Sequence, residues 1–319
     1  MRIVVVGAGS WGTTFASLLA ERGHEPVLVC RDPEQARAIA ETRRNPRSAS
    51  GVDLSGVGAT TLGELVLDGA DLVCVAVPSR AFGEVVEALP SADVPVLSLV
   101  KGLDPASGRR LSTLVDGRPV AVLAGPNHAE EIAQGLPAAA VVASGDADLA
   151  RRLQHAIMSP RFRVYTNTDI VGVEISAAAK NVIALAVGLA DGLELGDNAK
   201  AAIVTRGLAE MRRIGRALHG RPETFAGLAG MGDLIVTCWS HHSRNRRAGE
   251  LIARGRTTEE ALAEIAQAVE GVTTAPILRD LAHELELELP ITEAVCAVLA
   301  GGRPEDLVPD LMRRKPRHE

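Results

Sequence analysis

Aromatic side chains and excess positive charge are both scarce in this sequence. Its 319 residues include four Phe, two Trp and one Tyr, and 34 basic side chains are outnumbered by 40 acidic ones, for a formal net charge of −6 at pH 7. Proteins that bind single-stranded nucleic acid stack bases on aromatic rings, and non-specific binding to nucleic acid or membranes requires positive charge. We therefore expect no nucleic-acid partner, and any bound anion must meet a local basic cluster.

Cysteine is sparse as well, and its four positions are far apart: Cys30, Cys74, Cys238 and Cys296. None forms the close pair used in redox and zinc sites, and a disulfide framework is not expected in a chain of this length. We therefore expect a reducing, cytoplasmic location. His241 and His242 follow Cys238, but adjacent histidines in a polar loop lack the further ligand that a tetrahedral metal site requires, so no metal is expected.

Long hydrophobic runs are missing too. The most apolar stretch, residues 175–190, is shorter than the roughly 20 residues that cross a bilayer, and it contains Lys180. The N-terminus lacks the pattern of a signal peptide, because a strand-like run begins at Arg2. Hydrophobic residues nevertheless make up 46% of the chain and charged residues 23%, which excludes a mainly disordered state. We expect a folded protein with no membrane span.

The first half of the chain alternates between strand-like and helix-like segments. Apolar runs without polar alternation, the pattern of strands buried on both faces, occur at 2–6, 26–30, 72–77, 94–99, 120–123, 138–143 and 162–166. Helical patterns occur between several of them, at 13–22, 33–41 and 81–89. Together these segments predict an α/β domain over residues 1–167, built on a doubly wound parallel sheet.

The second half contains helical patterns and no strand-like run. The helical patterns occur at 169–191, 199–218, 245–253, 258–268, 273–285, 292–299 and 304–311. The sequence therefore predicts a second, all-α domain over residues 168–319.

A glycine-rich turn, Gly-x-Gly-x-x-Gly at residues 7–12, directly follows the first strand and precedes a helix. In this context Gly7 permits a tight turn, Gly9 lets the backbone approach a pyrophosphate, and Gly12 lets the helix pack on the strand. The helix N-terminus presents unpaired N–H groups to the phosphates. This order of elements predicts a Rossmann-type dinucleotide-binding domain. Trp11, within the turn, is interpreted as a packing or cofactor-contact residue.

The end of the second strand carries Arg31 and Asp32. Arg31 lies 19 residues after Gly12, close to the position, about 20 residues on, where an acid that contacts the ribose is expected. An arginine there could stack on adenine or bind the 2′-phosphate of NADP, whereas Asp32 could accept the ribose hydroxyl of NAD or be a solvated charge. Both NAD and NADP therefore stay open.

Lys180 lies within an apolar, alanine-rich helical pattern. Burying an unpaired ammonium there is costly and lowers its pKa, and a lysine with a lowered pKa exchanges protons near neutrality. Ala177 and Ala184, on the same helix face, leave room for a ligand. The alternative is a lysine whose amine reaches water past the core. We favour the functional interpretation.

Two segments follow predicted strands at the edge where open α/β sheets place their ligands. Lys101 follows one strand, and Gly125, Pro126 and Asn127 follow the next. The tight Gly-Pro turn could bring backbone beside a substrate. Without further information, Lys101 is equally well interpreted as an ordinary loop lysine with no ligand contact.

The helical half supplies one acid and one basic cluster. Asp233, after a glycine-rich turn, could hold a lysine charged or cap a helix. The run Ser243-Arg244-Asn245-Arg246-Arg247 opens a helix and forms a local positive cluster suited to one phosphate. We assign Arg254 and Arg256, further along, to a solvated basic face.

Taken together and in order, these motifs resemble those of bacterial NAD(P)-dependent glycerol-3-phosphate dehydrogenases over nearly the whole chain. The matching segments are 7–12, 100–102, 125–126, 179–181, 205–210, 230–234, 237–238, 243–246 and 269–271. The resemblance implies reversible interconversion of sn-glycerol 3-phosphate and dihydroxyacetone phosphate with NAD or NADP. That reaction supplies glycerol 3-phosphate for glycerophospholipid synthesis. A homodimer is the further expectation from the family.

The resemblance also implies residue roles. Lys180 would accept the proton of the alcohol, or donate it to the carbonyl in reverse, with Lys101 and Asp233 as the other catalytic residues. Substrate contacts would come from Lys101, Gly125, Asn127, Lys180, Asp233, Ser243, Arg244 and Asn245. Cofactor contacts would come from Gly7, Gly9, Ser10, Trp11, Gly12, Arg31, Lys101, Ala129, Arg244 and Glu270.

Two positions depart from the family pattern. Asn127 stands where a hydroxyl residue is common, and residues 45–51 lack an aromatic-Leu-Pro-Gly sequence, so we expect a looser loop beside the cofactor. Two other functions are compatible with the motifs. One is a related dehydrogenase acting on another small phosphorylated or carboxylated hydroxy substrate. The other is a dinucleotide sensor without catalysis, which would have no use for Lys180, Lys101 and Asp233 together.

Overall fold

The computed structural model describes residues 1–306. The chain divides into two compact units, the first from Met1 to Glu174 and the second beginning at Ile175. This division lies within one long helix, a few residues beyond the boundary at 167/168 that the sequence predicts.

An eight-stranded sheet forms the centre of the first unit, in the order β3-β2-β1-β4-β5-β6-β7-β8. The strands are β1 Arg2–Val6, β2 Glu25–Cys30, β3 Gly58–Thr61, β4 Leu72–Val75, β5 Val96–Ser98, β6 Val120–Ala124, β7 Ala138–Ala143 and β8 Phe162–Asn167. The predicted Rossmann-type arrangement is confirmed, and every strand pair is parallel except β6–β7. That antiparallel pair corrects the expectation of a wholly parallel sheet.

Five helices belong to this unit: α1 Ser10–Glu21, α2 Pro33–Thr42, α3 Phe82–Glu87, α4 Ala129–Ala133 and α5 Ala147–Ile157. The first strand shows why its sequence is apolar throughout. Ile3 and Val5 belong to one core cluster with Phe15 of α1, whereas Val4 and Val6 belong to a second cluster with Phe82. Because both faces of β1 are buried, alternation between polar and apolar residues is absent.

The second unit is helical throughout its described part. After α6 Ile170–Gly192, which crosses the boundary between the units, its helices are α7 Gly196–Ala217, α8 Pro222–Ala226, α9 Asp233–Trp239, α10 Arg244–Ala253, α11 Thr258–Ile265, α12 Glu270–Glu284 and α13 Pro290–Leu299. A π-helical turn, Leu228–Gly232, leads into α9. Of the helix predicted at 304–311, residues Pro304–Asp306 form a 3₁₀ turn and the remainder lies outside the described residues.

Helix α6 has the length that the sequence predicts at 169–191, but it extends beyond the apolar stretch 175–190 on both sides. With 23 residues it has the length and composition to cross a bilayer, but 89% of its most apolar window is buried within the protein. An apolar helix that is buried on all sides is a core element of the fold. The burial of α6, rather than its length, therefore argues against a membrane span.

Helices α6 and α10 approach each other at backbone distance. A Cβ atom added at Gly188 would lie 1.9 Å from the carbonyl oxygen of Arg246, and one added at Gly249 would lie 2.1 Å from that of Leu185. No other residue fits at these two positions. The glycines therefore set the crossing point of the helix that carries Lys180 and the helix that begins at Arg244.

Glu210 is a buried carboxyl that caps another helix of this unit. Its Oε1 accepts the Ile291 N–H at 2.5 Å, and its Oε2 accepts the Thr292 N–H at 3.2 Å and the Thr292 hydroxyl at 3.0 Å. Burial raises the pKa of Glu210 to about 7, although these three donors act in the opposite direction. The folded state therefore favours the protonated carboxyl.

The raised pKa makes folding stability depend on pH at this position. Because the folded pKa exceeds the unfolded value, the contribution of Glu210 is fully present below about pH 4.5 and is lost as pH rises towards 7. We expect the stability of wild type relative to Glu210→Gln to fall by about 2 kcal/mol between about pH 5.5 and pH 7. Urea denaturation of both proteins across this range measures the difference. The exposed Glu223→Gln variant is the control, and parallel curves for Glu210→Gln and wild type would contradict the assignment.

Candidate active site

The glycine-rich turn after β1 shows three different requirements at its three glycines. Gly7 has φ +111°, and a Cβ there would lie 2.5 Å from the carbonyl oxygen of Ala76. A Cβ at Gly12 would lie 1.9 Å from the carbonyl oxygen of Gly7. By contrast, a Cβ at Gly9 would meet nothing within 4 Å. The protein's own packing demands the first and third glycines, whereas the second leaves an open approach to the backbone.

The N-terminus of α1 faces this turn without a cap of its own. Gly9 is its N-cap residue, no side chain caps the helix, and its first turn contains no acid. The N–H groups at Ser10 and Trp11 have no partner within the helix, and the helix dipole adds partial positive charge there. These features fit the pyrophosphate of a dinucleotide.

The contrast between the glycines gives a direct test of cofactor binding. Gly9→Ala adds a methyl group that no protein atom opposes, so the melting temperature should stay within a degree or so of wild type. The same methyl group blocks the approach of a pyrophosphate, so the Kd for the reduced dinucleotide should rise by more than about tenfold. Gly145→Ala is the matched control, because a Cβ there also meets nothing within 4 Å. Unchanged dinucleotide affinity in Gly9→Ala would contradict the assignment.

The ring of Trp11 is a packing element. Its ring centroid lies 5.4 Å from that of Phe15 and 6.5 Å from that of Phe162. Its indole N–H is buried and has no hydrogen-bond partner among residues 1–306. Of the two sequence interpretations of Trp11, the structure therefore supports packing directly.

The end of β2 presents Arg31 to solvent and engages Asp32 in two contacts. The Asp32 carboxylate accepts the Glu34 N–H at 2.8 Å, as the N-cap of α2, and pairs with Arg47. The hydrogen bond from Glu34, together with the Arg47 guanidinium, holds the pKa of Asp32 below its usual range. Both carboxylate oxygens are thus occupied by the protein.

The loop at 45–51, which we expected to be loose, is anchored at its first residue. Asn45 is fully buried, and its amide nitrogen donates to the Ala8 carbonyl at 2.9 Å and to the Thr13 hydroxyl at 2.7 Å. Its Oδ1 accepts from Gln35 at 2.9 Å and from the Arg47 N–H at 3.0 Å. The loop is therefore tied to the glycine-rich turn at its first residue, in spite of the sequence that it lacks.

The carboxyl ends of β5 and β6 bring Lys101, Gly125 and Asn127 together. The Lys101 amine donates to the Gly125 carbonyl at 2.9 Å and to the Asn127 Oδ1 at 2.6 Å. Gly125 has φ +133°, and a Cβ there would lie 2.9 Å from the Cα of Ala140 on β7. Asn127 is buried, and its Nδ2 has no partner among the described residues, so it is a desolvated donor.

Ala129, assigned to the cofactor by resemblance, is the buried first residue of α4. Helix α4 packs against α1, the helix that follows the glycine-rich turn. This arrangement keeps Ala129 in the same unit as the turn, on a short helix beside it.

A buried cation, carboxylate and hydroxyl meet in the helical unit. Lys180 of α6 and Asp233 of α9 are 4% and 1% exposed. The Lys180 Nζ lies 2.5 Å from the Asp233 Oδ1 and 2.8 Å from the Thr237 Oγ1. The Thr237 hydroxyl donates to the Asp233 carbonyl at 2.6 Å, so its oxygen is oriented to accept from the amine. The arrangement holds a charged amine in a fixed position inside apolar surroundings.

The basic cluster at the start of α10 contains one arginine without a carboxylate partner. Ser243 is the N-cap residue, and its hydroxyl accepts the Arg246 N–H at 3.3 Å. Arg246 pairs with Asp191 at 2.5 Å, and Arg247 pairs with Glu264 at 3.1 Å. Arg244 is exposed, and no carboxylate among residues 1–306 pairs with it. A helix N-terminus beside an available guanidinium is suited to a phosphate.

Asn245, which is expected to contact the substrate, bonds the backbone directly after Glu270, which is expected to contact the cofactor. The Asn245 side chain is buried, with its Nδ2 donating to Asn181 and its Oδ1 accepting from the Gly271 N–H. Glu270 is the first residue of α12, directly before that glycine. The amide of Asn245 is therefore engaged within the helical unit.

Sequence reasoning assigned no role to Thr237, Asn45 or Asn181. Thr237 carried a usable signal, because it lies one helical turn after Asp233 and so on the same helix face. Asn45 carried none, since its partners Ala8 and Thr13 are distant in sequence. Within the described residues, no group of three histidine, cysteine or acidic side chains could hold a metal ion.

Comparisons with known proteins agree across the whole chain. A family model for the N-terminus of NAD-dependent glycerol-3-phosphate dehydrogenase matches residues 2–150, and the model for its C-terminus matches residues 169–309. A glycerol-3-phosphate dehydrogenase [NAD(P)+] from Moorella thermoacetica is 48% identical, over 99% of this chain and 97% of its own length. One from Chlorobium limicola is 45% identical, over 100% of this chain and 99% of its own.

Solved structures give the same result. The crystal structure of glycerol-3-phosphate dehydrogenase from Coxiella burnetii matches with a TM-score of 0.93 at 35% identity, covering 98% of this chain and 99% of that one. D-Mandelate dehydrogenase with NADH matches at 13% identity with a TM-score of 0.63, covering 97% and 99% of the two chains, and so shares the fold alone. This chain belongs to the NAD-dependent glycerol-3-phosphate dehydrogenase family.

Proposed function

We propose that this protein catalyses the reversible, NAD(P)-dependent interconversion of sn-glycerol 3-phosphate and dihydroxyacetone phosphate. One observation carries the proposal: a buried amine, held by Asp233 and Thr237, lies in the same helical unit as the helix N-terminus at Arg244, which pairs with no carboxylate in the described part of the chain. The first feature suits proton transfer to a carbonyl, and the second suits a phosphate. The names of the relatives agree with this substrate.

The phosphate group is assigned to the start of α10. Arg244 can donate two parallel hydrogen bonds to phosphate oxygens, and the first N–H groups of the helix add further donors. These hydrogen bonds bind the phosphate group, which is not the part of the substrate that reacts. Their binding energy therefore orients the C2 carbonyl and lowers the entropic part of the barrier.

Lys180 is assigned the role of proton donor and acceptor. In the direction of reduction, its Nζ donates a proton to the C2 carbonyl oxygen as negative charge develops there. In oxidation, the neutral amine accepts the proton of the C2 hydroxyl. Asp233 pairs with the amine and holds it in place, and Thr237 fixes its direction.

The Rossmann-type unit is assigned to the cofactor, whose nicotinamide ring exchanges hydride with C2 when it is bound. Gly7, Gly9 and Gly12 shape the turn, and the N–H groups at Ser10 and Trp11 bind the pyrophosphate. The family resemblance adds Arg31, Ala129, Arg244 and Glu270 as cofactor contacts. Lys101 and Asn127 offer an amine and a desolvated amide N–H to the polar groups of the ligands.

A homodimer in the cytoplasm completes the proposal. Met231, Ile235 and Trp239 are 37%, 46% and 49% exposed and follow one another at four-residue spacing, which places them on one face of a helical segment. We assign this apolar stripe to the contact with a second copy. Light scattering should give twice the chain mass of 33.4 kDa for wild type and the single mass for Ile235→Glu. A monomeric wild type would contradict the assignment.

The proposed activity has a simple assay. Dihydroxyacetone phosphate is mixed with NADH and, separately, with NADPH, and the loss of nicotinamide absorbance is followed. Turnover with at least one of the two supports the proposal. Dinucleotide binding with no turnover on dihydroxyacetone phosphate overturns it.

A further inference from the structure

Three helices of the second unit are joined by a chain of buried amide hydrogen bonds. The Asn181 Nδ2 of α6 donates to the Ala177 carbonyl at 3.2 Å. The Asn245 Nδ2 of α10 donates to the Asn181 Oδ1 at 2.9 Å, and the Asn245 Oδ1 accepts the Gly271 N–H of α12 at 2.8 Å. We refer to Asn181, Asn245 and Gly271 as the amide chain.

The polarity of the amide chain is fixed from one end. The Gly271 N–H can only donate, so the Asn245 oxygen must face it and the Asn245 nitrogen must face Asn181. Asn181 must then present its oxygen to Asn245 and its nitrogen to the Ala177 carbonyl. Every bond in the chain has a donor facing an acceptor, which makes the arrangement unique.

Close packing surrounds the amide chain. A Cβ added at Gly271 would lie 2.6 Å from the carbonyl oxygen of Asn181 and 2.9 Å from the Asn245 Oδ1. Helices α6 and α10 also touch at Gly188 and Gly249, about two turns along α6 from Asn181. The glycine contact alone would allow the two helices to pivot, and the amide chain supplies a second point of attachment.

Each residue of the amide chain directly follows a residue that we assign to the active site. Lys180 precedes Asn181, Arg244 precedes Asn245, and Glu270 precedes Gly271. Successive residues of a helix point about 100° apart, so the direction in which Asn181 points determines that of Lys180. The hydrogen bonds of the amide chain therefore fix the rotation of each helix, and with it the direction in which Lys180, Arg244 and Glu270 point.

We propose that Asn181 and Asn245 are positioning residues, which fix the separation between the Lys180 amine and the Arg244 guanidinium. The proposal rests on the proposed function for the roles of those two groups. The side chain of Asn245 links the spacing of α6 and α10 through its bonds to Asn181 and Gly271, and the second N–H of its amide stays available to a ligand. A ligand that must reach both groups depends on this spacing, whereas a ligand that reaches one of them does not.

The test compares dihydroxyacetone phosphate with dihydroxyacetone, which lacks the phosphate. In Asn181→Ala, kcat/KM for dihydroxyacetone phosphate should fall by about 10- to 100-fold, because a misplacement of about 1 Å has effects of that size. The value for dihydroxyacetone should change by less than about threefold, because that substrate makes no use of Arg244. Thr292→Val is the stability control, since its buried hydroxyl bonds Glu210 away from the amide chain. It should leave the ratio of the two substrates unchanged.

Equal losses on both substrates in folded Asn181→Ala, or no loss on either, would overturn the proposal. If that variant does not fold, Asn181→Ser retains a small polar group that is too short to reach Asn245 and should give the same selective loss. The affinity for inorganic phosphate provides a readout that needs no turnover. Because that ion reaches Arg244 alone, Asn181→Ala should leave its Kd within about twofold of wild type. Phosphate binding weakened tenfold or more in Asn181→Ala overturns the positioning role, because the change would then have damaged the phosphate site itself. Absence of turnover in wild type overturns only the proposed function.

Discussion

Replacing Lys180 by alanine should remove turnover and leave dinucleotide binding intact. The amine is the buried donor that Asp233 and Thr237 orient, and general acid–base groups contribute about 10²- to 10⁴-fold to rates. We therefore expect kcat to fall by at least about a thousandfold. The Kd for the reduced dinucleotide should stay within about twofold of wild type, because the glycine-rich turn belongs to the other unit.

A loss of folding must be separated from a loss of chemistry. Removing the cation takes the ion-pair partner away from the buried carboxylate of Asp233, and breaking such a pair costs about 3–5 kcal/mol. The double variant Lys180→Met/Asp233→Asn replaces the ion pair by neutral groups of similar size and should recover much of that stability. It should not recover activity. Stable protein with no turnover separates the catalytic role of the amine from its structural role.

Lys200 provides the matched lysine control. Its amine pairs with Asp191 at 3.0 Å and with Asp197 at 2.8 Å, in the same unit but outside the proposed site. Lys200→Met should therefore retain nearly all of the wild-type kcat. A wild-type rate in Lys180→Ala, measured with saturating dihydroxyacetone phosphate, would end the assignment of the proton to this residue.

The strands that the sequence predicts well are those buried on both faces. The predicted bounds of β1 and β7 agree with the observed bounds, because each strand is a short apolar run without polar alternation. The short β3, Gly58–Thr61, was missed because none of its residues is fully buried and it contains no apolar run. The antiparallel direction of β7 relative to β6 could not be predicted from the sequence either. Residues 125–137, which join it to β6, are enough for either a crossover or a reversal, so the length of the connection does not mark the antiparallel direction.

The candidate site was predicted as types of residue rather than as contacts. Lys180 stood out because a charge within an apolar helix requires a partner. That its partner is Asp233, 53 residues later, follows only from the packing of α6 on α9. The same holds for Asn181 and Asn245, which are 64 residues apart and each unremarkable in sequence. Local patterns identify which groups are costly to bury, and tertiary structure decides what compensates them.

The expected looser loop shows the limit of reasoning from a missing motif. Residues 45–51 lack the family's aromatic-Leu-Pro-Gly sequence, yet Asn45 ties the loop to the Ala8 carbonyl and the Thr13 hydroxyl. A single buried amide can satisfy several donors and acceptors at once, and so replaces part of the packing of a larger side chain. The absence of a motif removes one means of ordering a loop without excluding others.

Replacing Arg244 by alanine should strongly weaken the use of the phosphorylated substrate. Charge-assisted bonds to a phosphate are among the strong hydrogen bonds in proteins, and losing one costs about 2–5 kcal/mol. We therefore expect kcat/KM for dihydroxyacetone phosphate to fall by about 30-fold or more, with most of the effect in KM. Dihydroxyacetone, without the phosphate, should be reduced by wild type and Arg244→Ala at similar rates.

Two variants define the chemistry of this loss. Arg244→Lys keeps the charge but cannot form two parallel bonds, so its KM should lie between those of wild type and Arg244→Ala. Arg247→Ala removes a neighbouring arginine that pairs with Glu264, and it should change KM by less than about twofold because an exposed pair contributes little. Normal saturation of Arg244→Ala by dihydroxyacetone phosphate would show that the start of α10 does not bind the phosphate. The anion would then have to be bound by another cationic group.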